Sequence, residues 1–354
     1  MMLRQKFCRC SYLEFIRCCE NKVLTLQPAM VNDAPIVPTS RLCGHAPVPD
    51  KVTTMWSSKL MWAYKTAFAL LTLMSTFFMT GCSATGALNA LTPSSSYTLS
   101  ANVAYGTQPR QKLDIYTPTT AAPATGWPVV VFIYGGSWNV GERAQYQFVG
   151  EALAARGVMT LVADYRLYPD VRYPDFLSDS AQALAYGLDH ATRLGGDPKR
   201  VFVMGHSAGG YNAAMLALDA RWLKVTGHSP KELAGWIGLA GPYDFYPIVN
   251  PDAKPVFFHP NYPENSQPIN FTSSAAPRSF LAAAQDDKLV NPQRNTVQMA
   301  VKLRAAGVPV TLKLYPHASH ATLIGAFAWP LRWIAPVVED VQAFITTTPP
   351  VPPD

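Results

Sequence analysis

No thiol follows Cys82. The six cysteines (Cys8, Cys10, Cys18, Cys19, Cys43 and Cys82) all lie in the first quarter of the 354 residues. The remainder of the chain therefore has no disulfide framework and no thiolate metal site. The spacing of Cys8-Cys10 and Cys18-Cys19 fits none of the usual zinc patterns, and no histidine lies near them. Charge is scarce as well, at 15% of residues. The formal excess of +6 is concentrated at one end, because nine of the 29 Lys/Arg and four of the 23 Asp/Glu precede Ser83. Twenty basic and nineteen acidic residues remain after it, too even a balance for a phosphate-binding surface, so nucleic acid is not an expected partner. No apolar run reaches the roughly 20 residues that a membrane-spanning helix needs. No internal repeat is visible, and no motif points to a metal, nucleotide or other cofactor.

What is present begins with a short apolar run. Residues 1–54 read as an extension outside any folded module, consistent with a translation start at Met55 or Met61. Lys59 and Lys65 then precede "AFALLTLMSTFFM" and "TGCS", the order of a secretory signal over 55–82. Met79-Thr80-Gly81-Cys82 resembles the bacterial lipobox. That resemblance implies a lipid anchor on Cys82, making it the first mature residue of an exported, membrane-anchored protein. The non-acidic Ser83 points to the periplasmic side of an outer membrane. Residues 83–99 read as a tether and 346–354 as a Pro-rich tail.

Between these ends, strands and helices alternate. "PVVVFIY", "VMTLVADY", "RVFVMG", "LAGWIGLAG", "RSFLAAA" and "PVTLKLYP" are short apolar runs, as expected of strands buried on both faces. Helical stretches separate most of them. The pattern predicts one α/β domain over about 100–345, a mostly parallel sheet with helices on both faces. One Pro- and aromatic-rich insertion, about 245–277, breaks the rhythm and is expected to act as a short lid.

The chemistry is concentrated where a strand gives way to a helix, at Gly205-His206-Ser207-Ala208-Gly209. A serine on such a turn, with glycine two residues to either side, is held beside a helix N-terminus in a strained backbone conformation. Asp286 and Asp287 follow "RSFLAAA", and His317 and His320 follow "VTLKLYP", so acid and base come in order after the serine. With "YGGSW" (134–138), "DYRLYP" (164–169), "DDKLVNP" (286–292) and "YPHASH" (315–320), the chain resembles the α/β-hydrolase superfamily. Within it, the likeness is to the esterase branch of feruloyl-esterase-like, kynurenine-formamidase-like and hormone-sensitive-lipase-like enzymes.

The resemblance implies a serine hydrolase that cleaves small carboxylic esters through an acyl-enzyme, without a cofactor. Its nucleophile would be Ser207. Asp287 is favoured over Asp286 as the acid because Val290 completes the family's Asp-x-x-Val spacing, and His320 is favoured over His317 as the base. The oxyanion hole would use the N–H of Ala208 with one from Gly135-Gly136-Ser137. Tyr134 stands where the family usually has histidine, and its hydroxyl is expected to orient that loop. Trp138, Tyr165 and Arg166 are expected to pack and brace, as is His206, while His190, His228 and His259 carry no partner signature. Phe257, Phe258 and Tyr262 in the insertion suggest an apolar acyl or aryl substrate. Two other classes share these motifs: an amidase or peptidase on the same fold, and a catalytically silent binding module.

Overall fold

A computed structural model describes residues 84–347. The signal segment and Cys82 lie outside the described residues. The centre is an eight-stranded sheet. Its strands are β1 (Tyr97–Ala104), β2 (Lys112–Pro118), β3 (Trp127–Ile133), β4 (Met159–Ala163), β5 (Gly196–His206), β6 (Gly235–Leu239), β7 (Ser279–Ala284) and β8 (Val310–Tyr315). They lie in the order β1-β2-β4-β3-β5-β6-β7-β8. From β4 across to β8 every pairing is parallel, whereas β2 runs antiparallel to β4 and β1 antiparallel to β2. The continuous apolar runs have their cause here: every residue of β4, β6 and β7 is buried, because helices cover both faces.

The helices that concern the site are α1 (Ala84–Ala90), α2 (Gln147–Ala154), α3 (Asp175–His190), α4 (Ala208–Leu218), α5 (Gln298–Ala305), α6 (His320–Gly325) and α7 (Val337–Thr346). α4 is buried along its whole length, which explains why its sequence is apolar all round rather than striped. The chain order reverses between β3 and β5: β4 lies on one side of β3 and β5 on the other. Connections leaving the carboxyl ends of β3 and β5 therefore part in opposite directions, and the crevice between them is where open α/β sheets hold ligands.

Two expectations need correction. Residues 83–99 do not form a tether throughout, since α1 and the start of β1 occupy most of that stretch. α1 is tied down by Asn89, whose Nδ2 donates to the Ala144 carbonyl (2.6 Å), and by Trp329, whose Nε1 donates to the Leu91 carbonyl (2.6 Å). The insertion between β6 and β7 is also less lid-like than expected. Its Val256 and Phe257 are fully buried, and Phe257 packs edge-on against Trp138 (4.9 Å) and Tyr211 (5.6 Å). Much of it extends the core.

Candidate active site

Ser207 sits between β5 and α4 with φ 54° and ψ −122°, a conformation that costs a non-glycine residue on the order of 1–3 kcal/mol. Its neighbours explain how the turn is held and why it needs glycine. The Ser207 N–H donates to the Leu239 carbonyl at 2.8 Å. A Cβ at Gly205 would collide with the Gly209 carbonyl, and one at Gly209 with the carbonyl of Ile133 at the end of β3. The turn can therefore be this tight only with glycine at both places, and the hydroxyl projects at the crevice beside the first turn of α4.

His320 and Asp287 come from the next loops along the sheet. The Ser207 hydroxyl and His320 Nε2 are 2.8 Å apart, and His320 Nδ1 lies 2.7 Å from Asp287 Oδ2. An ionised carboxylate can only accept, so Nδ1 carries the proton and Nε2 accepts from the serine. Asp287 is held from its other side, where Oδ1 accepts the N–H groups of Leu289 (2.8 Å) and Val290 (3.0 Å). Burial works to raise its pKa, but the hydrogen bond and charge of His320 and those two N–H groups outweigh it. The net shift is below the usual carboxylate value, so the group stays ionised. His320 opens α6, whose N-cap Ser319 shares a reciprocal capping box with Thr322. Asp286 and His317, the alternatives, are both exposed.

The Gly135-Gly136-Ser137 turn follows β3 and approaches closely: a Cβ on Gly135 would stand 2.8 Å from that of Ser207. Gly136 (φ 122°), Ser137 (φ 49°) and Trp138 (φ 60°) all adopt positive φ. The turn is clamped from behind. The Tyr134 hydroxyl donates to Asp164 Oδ1 (2.8 Å) and accepts from Arg110 Nη2 (2.8 Å), and its ring stacks on Tyr146 (5.3 Å) and Tyr165 (5.0 Å). Arg110 Nη2 also donates to the Gly141 carbonyl, closing the far end of the loop. Tyr165 donates to the Tyr134 carbonyl (3.1 Å), Arg166 grips Asp179 through two nitrogens (2.8 Å each), and Trp138 Nε1 donates to Asn212 (2.9 Å). Tyr165 and Trp138 thus hold the loop to its surroundings, while Arg166 ties the segment after β4 to α3.

His206 lies under His320 and points Nε2 at the His320 carbonyl oxygen (3.0 Å), so Nε2 is its protonated nitrogen. Burial, reinforced by the neighbouring His320, lowers its pKa from 6.5 to about 3, and the ring is neutral. His190 stacks on Tyr186 (4.1 Å), His228 lies between Asp189 and Glu232, and His259 bonds the Tyr262 hydroxyl. Among the described residues no three His, Cys, Asp or Glu side chains converge as metal ligands would.

A cavity of about 460 Å³ opens over Ser207, with Trp138, Phe245, Ile248 and Asn250 on its walls. The reading of Phe257, Phe258 and Tyr262 as substrate contacts is corrected here. Phe257 is core, Phe258 stacks beside Arg172, and Tyr262 stacks on Tyr246 (4.4 Å). Phe245 and Asn250, which sequence reasoning did not single out, take the places beside the serine. Asn250 Nδ2 donates to Ser137 Oγ (3.1 Å), docking the insertion on the loop. No local sequence signal separates Phe245 from the other aromatic residues of the insertion.

Comparison with known proteins bears on the fold and the family. The solved bacterial heroin esterase superposes with a TM-score of 0.60 at 26% identity, covering 74% of this chain and 89% of that one. The fold is thus that of the α/β-hydrolases. Among curated proteins, isoprenylcysteine alpha-carbonyl methylesterase ICME of Arabidopsis thaliana is 33% identical over 153 residues, 42% of this chain and 35% of that protein. Esterase LipC of Mycobacterium tuberculosis is 30% identical over 221 residues, 57% of this chain and 54% of that protein. The chain thus spans about a third to a half of the length of these two relatives. A family model described as BD-FAE matches residues 113–303, from β2 into α5 and through both the serine turn and Asp287. That match takes in more than half of the sequence, and the chain belongs to the BD-FAE family.

Proposed function

We propose that this protein is a serine esterase acting on small carboxylic esters through an acyl-enzyme. The observation that carries the proposal is the unbroken hydrogen-bonded series from Ser207 through His320 to the ionised Asp287. In this reading Ser207 Oγ attacks the ester carbonyl while His320 Nε2 takes its proton. Asp287 holds the imidazole in the tautomer that allows this and stabilises the imidazolium formed. The oxyanion rests between the N–H of Ala208 and those of the Gly135–Ser137 turn, a kind of contact worth about 100–1000-fold per donor. Collapse expels the alkoxide, protonated by His320, and water then releases the acid by the same route. The esterase names of the relatives support the same class.

Ser207→Ala tests the proposal. The loss of turnover on a p-nitrophenyl acyl ester is expected to be on the order of 10⁴-fold or more, with little change in melting temperature. A variant keeping a tenth of wild-type turnover would remove the serine from the mechanism. The proposal extends to export and a lipid anchor at Cys82, supported by the lipobox-like Met79–Cys82. Mass spectrometry of the mature protein from its bacterial host should then find a diacylglyceryl group on that cysteine, and an unmodified thiol would refute the anchor.

A further inference from the structure

Two cavities meet at Ser207. The one of about 460 Å³ already described also holds Asp244 and Arg294, paired at 2.9 Å. The other, of about 400 Å³, is walled by Leu88 of α1 with Phe148, Ile324, Leu331 and His320. Ser207 and Ser137 line both. Among the described residues, His320, Gly135 and Gly136 line the second cavity and not the first.

We infer that the second cavity, closed by α1, is the leaving-group pocket and takes an apolar alcohol of several carbons, while the acyl group lies in the first. The inference rests on the esterase reading above. In the acylation step a bond forms between Ser207 Oγ and the carbonyl carbon, and the bond from that carbon to the alkoxy oxygen breaks. The serine proton passes through His320 Nε2 to the departing alkoxide. That oxygen must therefore come within roughly 2.6–3.2 Å of Nε2, and its alkyl chain must continue into the space His320 lines.

The chemistry of the wall sets the class. Several of its polar side chains are already engaged: Thr322 in the α6 cap, Ser137 with Asn250, and His206 with the His320 carbonyl. The Tyr146 hydroxyl is among the few polar groups left on the wall for a ligand to meet. A sugar or polyol would enter with unpaired hydroxyls, at a cost of about 1–3 kcal/mol for each one buried. Methylene groups would find Leu88, Phe148, Ile324 and Leu331. The first cavity, with its ion pair and Asn250, tolerates polar substituents on the acyl side. Because α1 is fastened at Asn89 and Leu91, Leu88 is a fixed wall rather than part of a swinging flap.

The test compares kcat/KM for two series on the full chain: acetates of methanol to hexanol, and methyl esters of acetic to hexanoic acid. In the wild type, each added alcohol methylene should raise kcat/KM about threefold to fourfold until the cavity is filled. Leu88→Trp should lower the hexyl acetate to methyl hexanoate ratio at least tenfold. Val249→Trp, at an exposed position on the first cavity, should move that ratio the other way. Leu88→Ala repeats the test with a smaller side chain and should shift the preferred alcohol to a longer one. Opposite shifts, or equal losses in both series for the Leu88 variants, would overturn the assignment while leaving the esterase intact. A wild-type protein inert on both series would instead overturn the esterase reading.

Discussion

Two buried polar assemblies lie on opposite sides of the Gly135–Ser137 turn, and they are built differently. In front are Ser207, His320 and Asp287, with one carboxylate, one imidazole and one hydroxyl. Behind it Arg143 pairs with both Asp114 and Asp164, Arg110 joins Tyr134 and Asp164, and Arg166 holds Asp179. The rear assembly relies on guanidinium groups, which keep their protons at any working pH and bind carboxylates through a rigid fork. Such a network can position a loop but cannot pass a proton along. The front assembly has a single imidazole between acceptor and donor, which makes it weaker as a brace and competent to relay a proton. The difference separates holding from reacting.

The sharpest break of that comparison is on the front side. His320→Ala should reduce ester turnover by on the order of 10⁴-fold with little effect on melting, whereas His317→Ala should stay within about twofold. Equal losses in steady-state assays would move the base role away from His320. The rear assembly should show the reverse order of effects. Asp164→Ala leaves Arg143 without one partner and takes from the Tyr134 hydroxyl the shorter of its two acceptors, the other being the Gly141 carbonyl at 3.3 Å. Urea unfolding should find a loss of about 3 kcal/mol, with kcat/KM falling far less than in His320→Ala. A full loss of activity without loss of stability would give Asp164 a part in the chemistry.

The smallest effect concerns His206, which belongs to neither assembly and supports the first. Its folded-state pKa is lowered, so the unfolded chain binds the proton more readily and acid favours unfolding. The contribution of the neutral ring is complete above about pH 6.5 and is lost progressively towards pH 3. Between pH 6.5 and 5 that loss is on the order of 2 kcal/mol. Asp287, also lowered, acts in a separate window, since its contribution is present above its unfolded value of 3.8 and is lost below it. His206→Gln should flatten the decline in stability between pH 6.5 and 5 measured by urea titration. An unchanged slope would assign that decline to other groups.

Residues that depend on near neighbours in the chain were readable in advance. The Gly205–Gly209 turn follows from short-range pattern, the order Ser207, Asp287, His320 from the succession of strands, and the choice of Asp287 through Val290 from the family resemblance. The structure brings these three side chains together. The parallel strands were legible too, because burial on both faces leaves a continuous apolar run. β1 was not, since seven of its eight residues are not fully buried and it shows no alternation to detect. α1 has no buried residue in its seven and likewise left no stripe in the sequence.

By itself, then, the sequence determined the strand order of the chemistry and the strained turn, since glycine tolerance and apolar runs are properties of local backbone and burial. Tertiary structure alone decided which aromatic residues of the insertion meet the crevice, that His206 would be neutral beneath His320, and that the stretch behind Cys82 would wall a cavity. The physical reason is the same in each case. These roles depend on what stands opposite a side chain across many residues of sequence, and no short-range pattern encodes the partner.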